Sequence, residues 1–283
     1  MEKFFEGLSS WVATTLQEMI LSIADLTSLA GMTPQTFNQT IWNNVNNFSS
    51  QTVKPIAWSI LSLFLLLELT ELLKKTESRG KESVYFVLII VFKIGVAKTL
   101  MDNSSLIINT IFEIGNSLTS AMSAYINTAN STFLSEAERQ QIIDSLNVEG
   151  IGSFLGLLCN CLIILLLSFF SWVLTVIARL IIILRYVEAW VFTAIAPLPF
   201  ATMPSQEYGS IFKNFVKRLI SLALHAVLIT VCLFIYSQLA TSSYMSAGAG
   251  TLGALWKIIL CDLLLVIMLF QSGGWAKSIA DAH

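Results

Sequence analysis

IGSFLGLLCNCLIILLLSFFSWVLTVIARLIII, residues 151–183, carries one charged side chain, Arg179, in a run longer than a bilayer crossing needs. A transmembrane helix takes about 20 predominantly apolar residues. A surface helix of a soluble protein keeps a polar face for water; this run has none and reads as a membrane span. Similar blocks lie on both sides. Downstream, a second apolar run at 186–203 follows almost without a break and contains Ala196-Pro197-Leu198-Pro199. Further spans are expected at about 216–240 and 253–271, separated by a Ser/Gly-rich link at 241–251. Upstream, spans at about 53–73 and 83–101 flank the basic loop Lys74-Lys75-Thr76-Glu77-Ser78-Arg79-Gly80-Lys81.

Composition agrees. Of 283 residues 55% are hydrophobic and 12% charged, about half the roughly 25% charged of soluble domains, and the mean hydropathy is +0.74. Too little charge is present to coat a soluble domain, which excludes soluble enzymes, disordered tails and collagen. The expected fold is all-α: a polytopic membrane protein of about five transmembrane helices, one Pro-containing re-entrant or interfacial segment, and amphipathic outer helices. Its opening residues, Met1 to Glu6, lack the basic start and clean apolar run of a secretory signal.

Five regions follow. Residues 1–52 are an external N-terminal segment. Within it, Phe4, Phe5, Leu8, Trp11 and Leu16 fall on one helical face that suits a membrane surface or a partner, and 31–52 read as a polar loop or short interfacial piece. Residues 53–101 form a helical hairpin. Residues 102–150 form an external insert, with an amphipathic helix suggested by Leu106, Ile107, Ile111, Ile114, Leu118 and Met122. Residues 151–271 are the membrane core and 272–283 a cytoplasmic tail. Lys and Arg mark the cytoplasmic side. Lys74, Lys75, Arg79 and Lys81 place the first loop inside and the N-terminus outside. The acidic insert then lies outside, and Lys277 ends inside. Arg179, Arg185, Lys213, Lys217 and Arg218 all belong inside only if 186–203 does not cross, which its prolines permit because they break a helix.

The side chains that could carry chemistry are few. Cys159, Cys161, Cys232 and Cys261 sit in apolar blocks, where a free cysteine behaves as a small hydrophobe. With only His225 and His283, no zinc site of ordinary spacing can be built. HExxH, GxSxG and P-loop motifs are missing, and so is a second intramembrane aspartate for an aspartyl dyad. A non-enzyme without a cofactor is expected. Lys93 and Asp262 each lie near the middle of a span, where a lone charge is expensive; they form a structural pair, line a polar pore, or relay ions. Glu68 and Glu71 are near enough to a helix end to snorkel or to pair with Lys74 and Lys75. Arg179, Arg185, Lys213, Lys217 and Arg218 suit lipid headgroups, a bound phospholipid included, or an anionic substrate at the cytoplasmic face. Gly152 and Gly156 have the spacing that lets membrane helices approach closely.

The segment Arg185-Tyr186-Val187-Glu188-Ala189-Trp190-Val191-Phe192-Thr193-Ala194-Ile195-Ala196-Pro197-Leu198-Pro199-Phe200-Ala201, with the basic Phe212-Lys213-Asn214-Phe215-Val216-Lys217-Arg218 after it, resembles the TrbL-type polytopic inner-membrane subunit of type IV secretion (conjugal transfer) systems, in the form found in Gram-positive conjugative elements. The resemblance implies a multi-pass protein of the bacterial cytoplasmic membrane. It also implies a ring-like homo-oligomer that works with other secretion subunits and ATPases to pass DNA–protein substrates, with no catalytic residues of its own. The alternative from another class is a secondary transporter or ion channel using Lys93 and Asp262. Transporters usually carry an internal repeat with broken helices in matching halves, and this chain shows one Pro-broken segment and no repeat.

Overall fold

The computed structural model describes residues 25–76, 83–130, 151–241 and 251–281, and every regular element among them is helical. After a helical stretch at 25–30, the helices in chain order are α1 (Pro34–Phe37), α2 (Gln39–Phe48), α3 (Lys54–Thr76), α4 (Ser83–Asp102), α5 (Ser104–Asn130), α6 (Ile151–Ile195), α7 (Pro197–Ala201), α8 (Gly209–Thr241) and α9 (Thr251–Ile279). Among the described residues, four helical stretches are long and apolar enough to cross a membrane: Gln39–Glu71, Ser168–Ile195, Gly209–Leu239 and Ile259–Ile279. They overlap the expected first, third, fourth and fifth spans. The expected second span is α4, whose 20 residues extend about 30 Å at 1.5 Å per residue, the thickness of a hydrocarbon core.

Residues 31–52 differ from the sequence reading: they are largely helical. Thr33 caps α1 reciprocally, its hydroxyl accepting from Thr36 N–H at 3.1 Å while Thr36 Oγ1 accepts from Thr33 N–H at 2.8 Å. Asn38 caps α2 by accepting from Ile41 N–H at 3.0 Å. These residues serve as helix starts as readily as loops, because their short polar side chains satisfy the orphan first-turn donors. A π-helical turn, Ser49–Val53, joins α2 to α3 without a break. Its cause is Pro55: the ring removes one amide and crowds the carbonyl of the preceding turn, so the helix widens there.

Residues 186–203, expected as one re-entrant or interfacial segment, are divided. The first ten continue α6, which runs unbroken for 45 residues, about 67 Å. Pro197, lacking an amide, ends that ladder after Ile195 and opens the single-turn α7. The stretch between the two long apolar helices is therefore 196–208. Pro199 O accepts from the Thr202 hydroxyl at 2.8 Å, and Gly209 N–H returns to Ser205 O as α8 begins.

The chain forms two compact units, one of residues 1–31, 117–183 and 226–274, the other of 32–116, 184–225 and 275–283. In the first, Leu26, Ala30, Ala178, Ile182, Ile229, Leu233, Leu265 and Leu269 are buried, and Arg179 meets Asp25 at 3.6 Å on the surface. In the second, α3 packs on α4, and α7 on both. The buried stripe that runs from the π-helical turn into α3 is Val53, Ala57, Leu61, Phe64 and Glu68, steps of four, four, three and four that keep one side of the helix inward. Lys54 Nζ donates to Asp102 O at 2.8 Å, a cation at the C-terminal carbonyls of α4. Gly115 lets α5 approach α8 closely: a Cβ there would stand 3.4 Å from Ala223 O.

Candidate functional site

The stretch 185–201 lies wholly in the second unit, and its side chains divide between two jobs. Tyr186 and Trp190, four residues apart and so on one helix face, hold the segment before α2. The Tyr186 hydroxyl donates to Met32 O at 3.0 Å and the Trp190 indole N–H to Pro34 O at 3.2 Å. Phe37 stacks on Tyr186 with ring centroids 4.5 Å apart and planes 10° apart, and leans on Trp190 at 5.9 Å. Both aromatics are buried, and a buried hydroxyl or indole N–H needs an acceptor. The two carbonyls of 32–34 supply them, and the result is a clamp.

The other face of the stretch makes the core. Ala189, Phe192, Ala196, Phe200 and Ala201 are buried with Ala57 and Leu61 of α3, Ala97 and Met101 of α4, Ile108 and Phe112 of α5, and Phe215, Leu219 and Leu222 of α8. Phe215 receives two edge-on contacts, from Phe192 at 5.9 Å and Phe200 at 5.7 Å, both at 87°. Such T-shaped pairs match positive ring edge to negative ring face. The alanines of the stretch leave room for these rings. Without the proline break after Ile195, Phe200 would lie further along α6 instead of folding back against Phe212 and Phe215.

One carboxylate fixes the connection that follows. Glu68, 6% exposed, accepts from Gln206 N–H at 2.7 Å, and Phe64, one turn earlier, meets the Tyr208 ring at 5.3 Å. The sequence reading expected Glu68 to snorkel or to pair with Lys74 and Lys75. Its real signal was its register: Leu61, Phe64 and Glu68 share the inward stripe of α3. Beyond the connection, Lys217 of α8 pairs with Asp281 at 2.5 Å. Asp281 has the left-handed φ of 49° just past the end of α9, a conformation that Asp tolerates better than most residues.

The chain matches the model of a family described as TrbL/VirB6 plasmid conjugal transfer like protein over residues 19–197. The chain belongs to the TrbL/VirB6 conjugal transfer-like family. The match includes the clamp aromatics and ends at the first proline of the core stretch. No curated protein and no solved structure matches the chain. For this TrbL/VirB6 relative the membrane location and the place in a conjugal transfer apparatus follow from family and fold together.

The remaining candidate residues are dispersed. Asp262 lies in the first unit, where its two oxygens accept from the hydroxyls of Ser171 and Tyr236, the latter at 2.5 Å. Three helices, α6, α8 and α9, thus meet on one carboxylate, and its counterparts are hydroxyls. The signal was present in Ser171, a polar residue inside the apolar run, but the run gave no partner. Lys93 belongs to the second unit, half-buried on α4. Arg185 departs from its expected place as a headgroup or substrate contact: it is buried at 4% exposure with its guanidinium 4.9 Å from the Tyr186 ring centre. Arg179 is half exposed beside Asp25, while Lys213 and Arg218 are exposed at the start of α8 and Lys217 is engaged with Asp281. The outer faces of Leu106, Ile114 and Leu118 on α5 are exposed, whereas Ser104, Ile108, Phe112, Gly115 and Thr119 make its buried face. Phe4, Phe5, Leu8, Trp11 and Leu16 fall outside the described residues. Gly152 and Gly156 lie in the opening turns of α6, and the packing expected of them is likewise outside what is described.

Proposed function

We propose that this TrbL/VirB6 relative is a non-enzymatic subunit of a conjugative type IV secretion channel, present in several copies in the bacterial cytoplasmic membrane, where it helps pass DNA–protein substrates. Partner ATPases supply the energy, and the chain itself needs no cofactor, although phospholipid binds at its basic face. The observation that carries this reading is the family match over 19–197 on a polytopic helical fold. Two further features support it. The buried carboxylates Glu68 and Asp262 are engaged in holding backbone and helices together, as suits a scaffold or channel wall. The basic segments also converge within the second unit. Glu68, six residues before Lys74, binds Gln206, seven before Lys213, and Lys217 binds Asp281, four after Lys277. The ends of α3 and α9 and the start of α8 therefore share a side, which the positive-inside rule makes cytoplasmic. That arrangement supports an outside N-terminus and an inside C-terminus.

The test is an in-frame deletion of the coding sequence from its conjugative element. Transfer to recipients should be abolished while nicking of the transfer origin in the donor continues, and the wild-type chain in trans should restore transfer. Undiminished transfer from the deletion strain would overturn the reading.

A further inference from the structure

Charged side chains are scarce in the apolar helices that meet in the first unit. No Asp, Glu, Lys or Arg occurs at 151–178 of α6 or at 219–241 of α8, and α9 has only Lys257 and Asp262 before Lys277. Asp262 is eleven residues into α9, about 16 Å at 1.5 Å per residue, half the thickness of a hydrocarbon core. It is half-buried, and its partners are closed off: Ser171 is 3% exposed and Tyr236 2%. Their hydroxyls reach different oxygens of one carboxyl group, Ser171 at Oδ2 and Tyr236 at Oδ1.

A carboxylate at that depth is expensive unless a cation or a proton neutralises it. No cation of the chain does so among the described residues. Those of the first unit are Arg179, which meets Asp25, and Lys257. Lys257 lies five residues before Asp262, about 140° around α9 from it, and neither forms an ion pair with Asp262. The other titratable groups near its level are Cys261 beside it in the chain and Tyr236 and Cys232 on α8, while α6 has none between Cys161 and Arg179; none of these is a cation.

A proton fits the hydrogen bonds already present. When Oδ2 carries it, the acid O–H donates to Ser171 Oγ, and the serine turns its own hydrogen to the carbonyl one turn back in α6, as helical serines do. Tyr236 goes on donating to Oδ1. Every polar atom then has a partner and no charge is present. In the ionised form both hydroxyls donate, and the charge has no counterpart.

We propose that Asp262 is a proton-binding site within the membrane, where its neutral carboxyl group joins α6, α8 and α9. The ligand is the proton itself, given up to water as Asp–COOH becomes Asp–COO⁻. Release leaves a charge among three apolar helices and loosens the junction that the neutral form holds. The site depends on the membrane location and not on what the channel carries.

Infrared spectroscopy of the full chain in lipid vesicles tests this, with the aspartates isotope-labelled at the side-chain carboxyl carbon. At neutral pH a carboxylic-acid band should stand apart from the carboxylate bands of exposed aspartates such as Asp25, Asp102 and Asp281, and it should be lost in Asp262→Asn. Tyr236→Phe removes the hydrogen bond to Oδ1 and should shift the band to higher wavenumber, which assigns it even where the Asn variant fails to fold. Carboxylate bands alone in the wild type, or an acid band that neither substitution changes, would overturn the proposal. A lipid-soluble carbodiimide, which reacts with protonated carboxyl groups, gives a second reading. Dicyclohexylcarbodiimide should modify Asp262, read by mass spectrometry, and the modification should fall as pH rises. Protection by sodium chloride but not by choline chloride at fixed pH would put a metal ion in the site instead of a proton, and so overturn the proposal as well.

Discussion

The two units solve the same problem by different means. Helices in lipid gain little from burying apolar surface against one another, because lipid tails are equally apolar, and must rely on close packing and hydrogen bonds. The second unit relies mainly on shape: alanines at 57, 97, 189, 196 and 201 leave space, and Phe192, Phe200 and Phe215 fill it edge to face. The first unit ties α6, α8 and α9 through a single carboxylate shared by two hydroxyls. A packed centre is lost when volume is removed, whereas a polar tie is lost when an acceptor is removed. Substitutions can separate these two behaviours.

Phe200→Ala should have the largest effect. The ring is 2% exposed, and emptying such a site costs about 3–5 kcal/mol in soluble cores. Thermal denaturation in detergent, followed by size-exclusion of the surviving protein, should show most of the folded fraction lost, and Phe200→Leu should recover a good part. In the first unit, Asp262→Leu strands both hydroxyls at about 1–3 kcal/mol each, whereas Asp262→Asn keeps an acceptor and should fall in between. An Asn variant as damaged as the Leu variant would show that the carboxylate does more than accept. Glu68→Ala exposes the same logic in a single bond, leaving Gln206 N–H without its acceptor at about 1–3 kcal/mol; Glu68→Gln should be nearly silent in the same assay, and limited proteolysis should cut first at 202–208. Tyr186→Phe removes one hydrogen bond to Met32 O, about 0.5–1.5 kcal/mol, and should loosen 32–37 in hydrogen exchange without touching the core. Lys217→Gln breaks a solvent-exposed ion pair worth about 0–1 kcal/mol, and its melting curve should overlay that of the wild type.

How much of this was legible beforehand depended on distance along the chain. Hydropathy found α3, α4, α6, α8 and α9, because long apolar runs in lipid have few structures open to them. It missed the helices within 34–53, where Thr33 and Asn38 act as caps and Pro55 is absorbed by a π-helical turn. The proline pair was read as a break, but the apolar residues 186–195 belong to either side of such a break on composition alone, so its start was placed too early. The stretch 185–201 stood out, yet its clamp partners lie 154 and 156 residues away, beyond any local periodicity. Asp262 was recognised as needing a partner. Which hydroxyls supply it depends on how α6, α8 and α9 rotate about their axes, and apolar runs exposed on most sides leave that rotation unspecified.

The central claim is that 185–201 serves conjugal transfer by packing, as the centre of the second unit, and makes no contact with the substrate. Transfer frequency per folded molecule measures this directly, with folded protein in donor membranes quantified alongside mating efficiency for the wild type, Phe200→Leu, Trp190→Phe and Tyr186→Phe. The account predicts that transfer falls only as folded protein falls, so the ratio stays constant across the series. A variant that accumulates to wild-type folded levels and still fails to transfer would contradict it.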